Sequence, residues 1–400
     1  MLPPESTRLL EVEGKVRERF RAWGFREVIT PALEYSEVIE EPKLRDAAFK
    51  LFDTDNQMLL LRPEMTSPIA RLVARRLRNS PPPHKLAYSL PVYRRTGVGR
   101  GQSAEFHQAG VEVVGSASAA EDAGTIALMA DVFVSLGLRP AEDFAVVLGQ
   151  SAFYEGWLRH AAPDAAPELL AALADKDLAK VDTLAASLPD EVAAGAREIP
   201  RLVGSAADGS VLEQAGRYAV GEEAEAALEN LRGILGHLEV HGCLDAVILD
   251  LGLIGRYGYY TGVVYEAYSP HLGFTVASGG RYDDLLSRFG DPLPATGFAI
   301  SLERLLSILP ERKPEPLLVL VGNSVEATGS ARRLRERGVS MLQLAAEEPP
   351  EEAARYARSV DAAWICYPSG SGLKLAPVSG ERPGEFEQVS FEEAARRVAP

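Results

Sequence analysis

Two strand-like runs, at 84–94 and 105–114, follow one another with only the loop RRTGVGRGQSA between them. Upstream, residues 49–53 and 57–62 form a similar pair around Asp55-Asn56, residue types that suit a hairpin turn. Strand patterns return at 245–251 and 262–280. This is not the strand–helix alternation that builds a parallel sheet. Strands cluster and helices are set to one side, which predicts an α+β fold on an antiparallel sheet.

The helices and boundaries fit around that sheet. Val12, Val16, Phe20 and Trp23 recur at helical spacing, so a helix is predicted over about 5–23, with Gly24 placed to end it. FREVITPALEY reads as one strand interrupted at Pro31. A helix starts near Ser67-Pro68, a capping residue followed by proline. Another spans about 119–136, and ATGFAISLERLL reads as a helix over about 297–309 entered through a glycine turn. Residues 162–230 are rich in Ala and Leu with interspersed charges, the pattern of a helical insertion. Arg312-Lys313-Pro314-Glu315-Pro316 reads as a linker. The expected organisation is therefore a domain over 1–310 and a small α/β domain over 315–400.

Charge and composition narrow the function. Acidic residues outnumber basic ones by 57 to 42, a net charge of −15, which opposes non-specific binding to phosphate backbones. The two cysteines, Cys243 and Cys366, lie far apart, and the six histidines show no zinc spacing, so neither a metal site nor a disulfide framework is expected. No run of eighteen apolar residues occurs, so no membrane association is expected and a cytoplasmic protein is the default.

Four segments carry chemistry-bearing residues. LRPEMTSP places Glu64 between a strand and a helix start. The bland alternative makes Arg62 and Glu64 surface charges, with Thr66 or Ser67 capping the helix. In EFHQAGVEVVG, Gln108 and Glu112 share one strand face with Phe106 and Gly110, because side chains alternate. They could bracket a small polar ligand above Gly110, or form an ordinary salt bridge or solvent-facing surface. The paired glycines of ASGGRYDDLL permit close backbone approach to a ligand, but also make ordinary turns. Glu303-Arg304 could be an ordinary exposed pair.

The order of these segments resembles the histidyl-tRNA synthetases, a class II aminoacyl-tRNA synthetase family. WGFREVITPALEY resembles motif 1, which builds the dimer interface of that family. YSLPVYRR with EFHQAGVEVVG resembles motif 2, and TGFAISLERLL resembles motif 3. LRPEMT, GRYGYYTGVVYE and ASGGRYD resemble the segments of the family's histidine pocket. The resemblance covers roughly 1–310 and implies an antiparallel sheet flanked by helices. It also implies that Glu64, Thr66 and Gln108 receive the α-ammonium of histidine. Glu112 and Tyr260 would hold the imidazole, Tyr259 would be a further histidine-binding residue, and Arg94 and Arg304 match the family's ATP-binding arginines.

The departures matter as much. The synthetases carry Arg-Gly-Leu-Asp-Tyr-Tyr where this chain has Gly255-Arg256-Tyr257-Gly258-Tyr259-Tyr260. The family's arginine neutralises the histidine carboxylate and the α-phosphate during adenylation, and such a cation is worth orders of magnitude in rate. Arg256, one position away in an extended segment, points to the other side. Gln102-Ser103-Ala104-Glu105 also departs from the motif 2 pattern, so the nucleotide site reads as vestigial. The C-terminal region is loosely similar to a shortened anticodon-binding domain. It holds 10 Lys/Arg against 13 Asp/Glu over 315–400, the wrong sign for gripping tRNA.

A histidine pocket without the adenylation cation resembles a paralogous family, the regulatory subunits of ATP phosphoribosyltransferase. That resemblance implies a chain with no reaction chemistry and no cofactor of its own. Its partner would be a short-form catalytic subunit of histidine biosynthesis. Histidine would act as an inhibitory ligand, and the chain would form a homodimer within a hetero-oligomer. A histidine–tRNA ligase and a stand-alone histidine sensor stay open as alternatives.

Overall fold

The computed structural model describes residues 1–39, 41–95, 103–255, 258–310, 316–379 and 385–398. Residues 312–315 of the expected linker, Arg256 and most of the glycine-rich loop after Tyr93 lie outside them. The chain divides into two units, Met1–Pro310 and Glu311–Pro400.

The first unit opens with helix α1 (Glu5–Ala22), which buries Leu9, Val12, Val16 and Phe20 along one stripe and turns at Gly24 with φ +83°. Strands β1 (Arg26–Glu27) and β2 (Leu33–Tyr35) follow. The expected single strand across Pro31 is thus two strands, and they join different sheets. After helix α2 (Pro42–Ala47) come β3 (Lys50–Phe52) and β4 (Met58–Leu61), the expected hairpin, with Asn56 at φ +60° in its turn. Strands β2, β4 and β3 form a small three-stranded sheet. Helix α3 (Thr66–Arg76) begins at Thr66 rather than at a Ser67 cap; the Ser67 N–H instead donates to the Glu64 carboxylate at 3.0 Å.

The long pair β5 (His84–Tyr93) and β6 (Glu105–Val114) is antiparallel, as its sequence spacing predicts. Helix α4 (Ala119–Ser135), strand β7 (Ala145–Gln150) and helix α5 (Ser151–Ala161) lead into the insertion. There α6 (Ala166–Ala174), α7 (Leu178–Ala185), α8 (Asp190–Glu198), α9 (Ser210–Gly216) and α10 (Glu222–Val240) pack together. The insertion also supplies a strand that its composition hides, β8 (Val203–Ser205), at one edge of the main sheet.

Strand β9 (Val247–Asp250) precedes β10 (Val263–Tyr268) and β11 (Ala277–Arg281), so the expected 262–280 strand is two strands paired antiparallel. ATGFAISLERLL is corrected more sharply. It forms strand β12 (Ala295–Ser301) and only then the short helix α11 (Leu302–Ile308). Nearly every residue of β12 is buried or half-buried, so it lacks the alternation that marks a one-sided strand. Among the described residues the main sheet has nine strands in the order β1-β5-β6-β12-β11-β10-β7-β9-β8. Its core from β5 to β7 is antiparallel throughout, which is the expected α+β architecture.

Among the described residues the second unit carries a five-stranded mixed sheet. Strands β13 (Leu318–Val321), β14 (Met341–Leu344) and β15 (Trp364–Ser369) are parallel, with β16 (Gly372–Pro377) and β17 (Glu387–Val389) antiparallel beyond β15. Helices α12 (Val325–Arg335), α13 (Pro350–Ser359) and α14 (Phe391–Val398) accompany it.

Candidate functional site

Strands β6, β12, β11 and β10 lie side by side, and their open face floors a cavity of about 190 Å³. Glycines let neighbouring side chains close tightly on these strands. A Cβ on Gly110 would stand 2.6 Å from the Tyr88 hydroxyl, and one on Gly297 would overlap the Glu112 carboxylate. One on Gly280 would sit 2.8 Å from the Tyr260 ring. Each of these close approaches demands a residue without a side chain.

All eight residues singled out in the sequence line this one cavity: Glu64, Thr66, Arg94, Gln108, Glu112, Tyr259, Tyr260 and Arg304. The bland reading of the first segment fails, because Arg62 and Glu64 are only 3% and 4% exposed. Arg62 holds the chain, donating to the carbonyls of Pro91 at 2.9 Å and Thr30 at 2.6 Å. Glu64 faces the cavity from the N-terminal end of α3. Burial raises its pKa against the opposing pull of Ser67 and Arg94.

Glu112 is a strongly perturbed carboxyl of the site. It is 2% exposed, and burial lifts its pKa to about 8, with the nearby Glu64 adding to the rise. Thr66 Oγ1 donates to its Oε1 at 2.9 Å, and the Tyr282 hydroxyl donates to its Oε2. Thr66 is thus engaged with Glu112, not only poised for an ammonium. Tyr282 is a site residue that the sequence reading passed over, although it stands in the quoted ASGGRYD segment. Its neighbour Tyr259 meets it edge-on at 6.0 Å, and Tyr259 and Tyr260 lie 4.9 Å apart between ring centres.

Gln108 carries a sharper signal. Its Oε1 is buried and has no hydrogen-bond partner among the described residues. Buried acceptors are nearly always satisfied, so a donor belongs there. Arg94 donates to the Pro63 carbonyl at 2.7 Å and lies 5.3 Å above the Phe106 ring. Arg304 donates to the Thr275 carbonyl at 2.8 Å and lies over Phe274. Glu303 is no surface charge either: its carboxylate accepts the His107 N–H at 2.8 Å.

Gly255 and Gly258, which stand where the synthetases carry arginine and aspartate, differ in kind. A Cβ at Gly255 would fall 2.7 Å from Tyr260 Cβ and 2.8 Å from Cγ, inside the space that the tyrosine occupies. A Cβ at Gly258 would meet nothing within 4 Å. The first position is closed to any side chain while Tyr260 keeps its place; the second is open. Among the described residues no cluster of ligating side chains could hold a metal ion, and no helix is long and apolar enough to cross a membrane.

Residues 1–305 match the family model described as histidyl-tRNA synthetase. An ATP phosphoribosyltransferase regulatory subunit from Rubrobacter xylanophilus is 68% identical over 398 residues, covering 100% of this chain and 95% of that protein. A regulatory subunit of the same name from Moorella thermoacetica is 38% identical, covering 91% of this chain and 96% of its own. The crystal structure of an ATP phosphoribosyltransferase regulatory subunit/histidyl-tRNA synthetase from Bacillus halodurans superposes with a TM-score of 0.80 at 31% identity, over 92% of this chain and 95% of that one. Histidyl-tRNA synthetase from a Nostoc species shares the fold, with a TM-score of 0.82 at 21% identity over 99% of this chain and 97% of that one.

Proposed function

The chain belongs to the ATP phosphoribosyltransferase regulatory subunits, within the histidyl-tRNA synthetase family, and on that premise we propose that it senses histidine for a separate catalytic subunit. The catalytic subunit condenses ATP with phosphoribosyl pyrophosphate; this chain supplies the response to histidine and carries no reaction chemistry. The ligand's α-ammonium lies against Glu64 and the unsatisfied Gln108 oxygen, and its imidazole N–H against Glu112 beside Tyr260. Charge-assisted hydrogen bonds in a buried cavity give both affinity and selectivity.

The observation that carries the non-catalytic part is the packing of Tyr260 on Gly255. At 255 the synthetases carry the adenylation arginine beside the same tyrosine pair, whereas here a glycine packed under Tyr260 leaves the cavity without that cation. An active ligase would have to stabilise the α-phosphate from elsewhere. A site that binds without reacting retains only its binding energy, which can shift the balance between assembly states.

The assembly includes a homodimer of this chain. Ile29, Leu33, Tyr35, Leu51, Phe52 and Met58 are exposed apolar residues on and just before the three-stranded sheet. Such a concentration is the usual mark of an interface, and most oligomers pair such a patch with itself.

Two assays test the function. Histidine-dependent exchange of labelled pyrophosphate into ATP should stay at background, and a tagged chain should co-purify with a short phosphoribosyltransferase. Exchange within about tenfold of an ordinary turnover near 10 per second would return the chain to the ligases. Failure to capture the catalytic subunit would leave a stand-alone sensor.

A further inference from the structure

The Tyr259-Tyr260 segment is fastened at both ends. At its start the Gly258 N–H donates to Glu41 Oε2 at 3.2 Å. At its end Thr261 is held three times, its hydroxyl donating to the Arg281 carbonyl at 3.5 Å. Its N–H donates to the Arg281 carbonyl at 2.9 Å, and its hydroxyl oxygen accepts the Asp283 N–H at 3.0 Å. The residues it grips, Arg281 and Asp283, flank Tyr282, whose hydroxyl meets Glu112. One hydroxyl therefore ties the segment carrying Tyr260 to the segment carrying Tyr282.

The far side of this tie is rigid. The Arg281 guanidinium is buried and donates to both oxygens of Asp122 on α4, at 3.1 and 2.9 Å. It also donates to the Ser116 carbonyl at 3.1 Å and to Asp283 Oδ1 at 2.9 Å. Asp283 Oδ1 further accepts the Ala295 N–H at 3.1 Å, at the start of β12. The arginine stem runs along Gly262, where a Cβ would come within 3.2 Å of Arg281 Cδ. Thr261, Arg281, Asp122 and Asp283 are absent from the described wall of the cavity, so whatever they do for a ligand passes through the tyrosines.

We propose that Thr261 is a positioning residue for ligand binding, its hydroxyl fixing Tyr260 relative to Tyr282 and Glu112 on the side of the cavity that takes the imidazole. The inference rests on the reading of the cavity as a histidine site. A valine at 261 has nearly the same shape but no acceptor, so the Asp283 N–H loses its partner and only the backbone bond from Thr261 to Arg281 still joins the two tyrosine segments. A serine keeps the acceptor. Loss of one partly buried hydrogen bond predicts roughly tenfold weaker binding.

The test uses the full chain as parent, Thr261→Val and Thr261→Ser, with three readouts. Calorimetry with histidine should give affinity roughly tenfold lower for valine and within about twofold of the parent for serine. Amide exchange at 258–263 should be faster in the valine variant alone. The thermal midpoint should stay close to the parent's in both, which separates positioning from general destabilisation. Valine binding within twofold of the parent overturns the inference, and so does a serine variant as weak as valine. If the parent binds no histidine, the site reading itself fails. The exchange arm then still decides the tie, and unchanged exchange in Thr261→Val refutes it.

Discussion

Histidine binding should release a proton, and the proton should come from Glu112. With a pKa raised to about 8, its carboxyl in the empty cavity is mostly protonated at neutral pH. The bound state favours the ionised form. Thr66 and Tyr282 already donate to its two oxygens, the ligand adds an imidazole N–H, and the α-ammonium brings a positive charge beside Glu64. At pH 7 only about one site in eleven is ionised, and at pH 8 about one in two. Apparent affinity is weakened by that fraction, so it should rise about fivefold between pH 7 and 8, or ~1 kcal/mol. Calorimetry in buffers of different ionisation enthalpy counts the protons directly. The parent should release about 0.9 proton more than Glu112→Gln at pH 7. The variant carries the ligand's own titration and that of Glu64, so the difference isolates Glu112. Equal proton counts in the two proteins would refute the reasoning, as would affinity that does not change from pH 7 to 8 in the parent.

Further expectations follow from the same geometry. Gly255→Ala should weaken histidine binding by about 5- to 150-fold, the range of ~1–3 kcal/mol for overpacking, because its methyl collides with Tyr260. Gly258→Asp, pointing into open space, should bind within about twofold of the parent; similar losses in both variants by calorimetry would mean that Tyr260 is not the cause. Glu112→Gln should also stabilise the fold. The folded carboxyl holds a proton to about pH 8 whereas the unfolded one releases it near ~4.3, so this group's stability contribution falls as pH rises through that window. Thermal midpoints should then show a larger gain for the variant at pH 8 than at pH 5, and the opposite order would contradict the assignment. Phe52→Glu should shift the isolated chain toward monomer in sedimentation, since a charge on the apolar patch opposes its self-pairing; an unchanged dimer would place the interface elsewhere.

Much of the fold was legible because β5 and β6 follow one another across a single glycine-rich loop and α1 repeats its apolar residues at helical spacing. The candidate site was legible through motifs: eight residues from five segments meet in one cavity. The failures share a physical cause. Gly297 in β12 reads as a turn, but it is the residue on which Glu112 rests. The run around it is largely buried on both faces, so no alternation announces a strand. Pro31 reads as an interruption, yet the chain changes sheets there, which depends on tertiary pairing rather than local preference. Tyr282 was overlooked because a tyrosine after paired glycines has no signature until Glu112 is seen opposite it. Gly255 was read as a missing arginine; only the packing shows how closely Tyr260 lies against that position.

The central claim is that a site unable to activate histidine controls catalysis in another chain. Coupling of this kind is worth about 1–3 kcal/mol, which gives roughly 5- to 150-fold control. The decisive measurement is formation of phosphoribosyl-ATP by a short-form catalytic subunit, with and without this chain, across a histidine titration. The account predicts a higher rate when the chain is present and inhibition by histidine in that arm alone, with Glu64→Gln and Glu112→Gln shifting the inhibition to higher histidine. Equal rates and equal histidine responses in the two arms, with a stable complex confirmed, would contradict it.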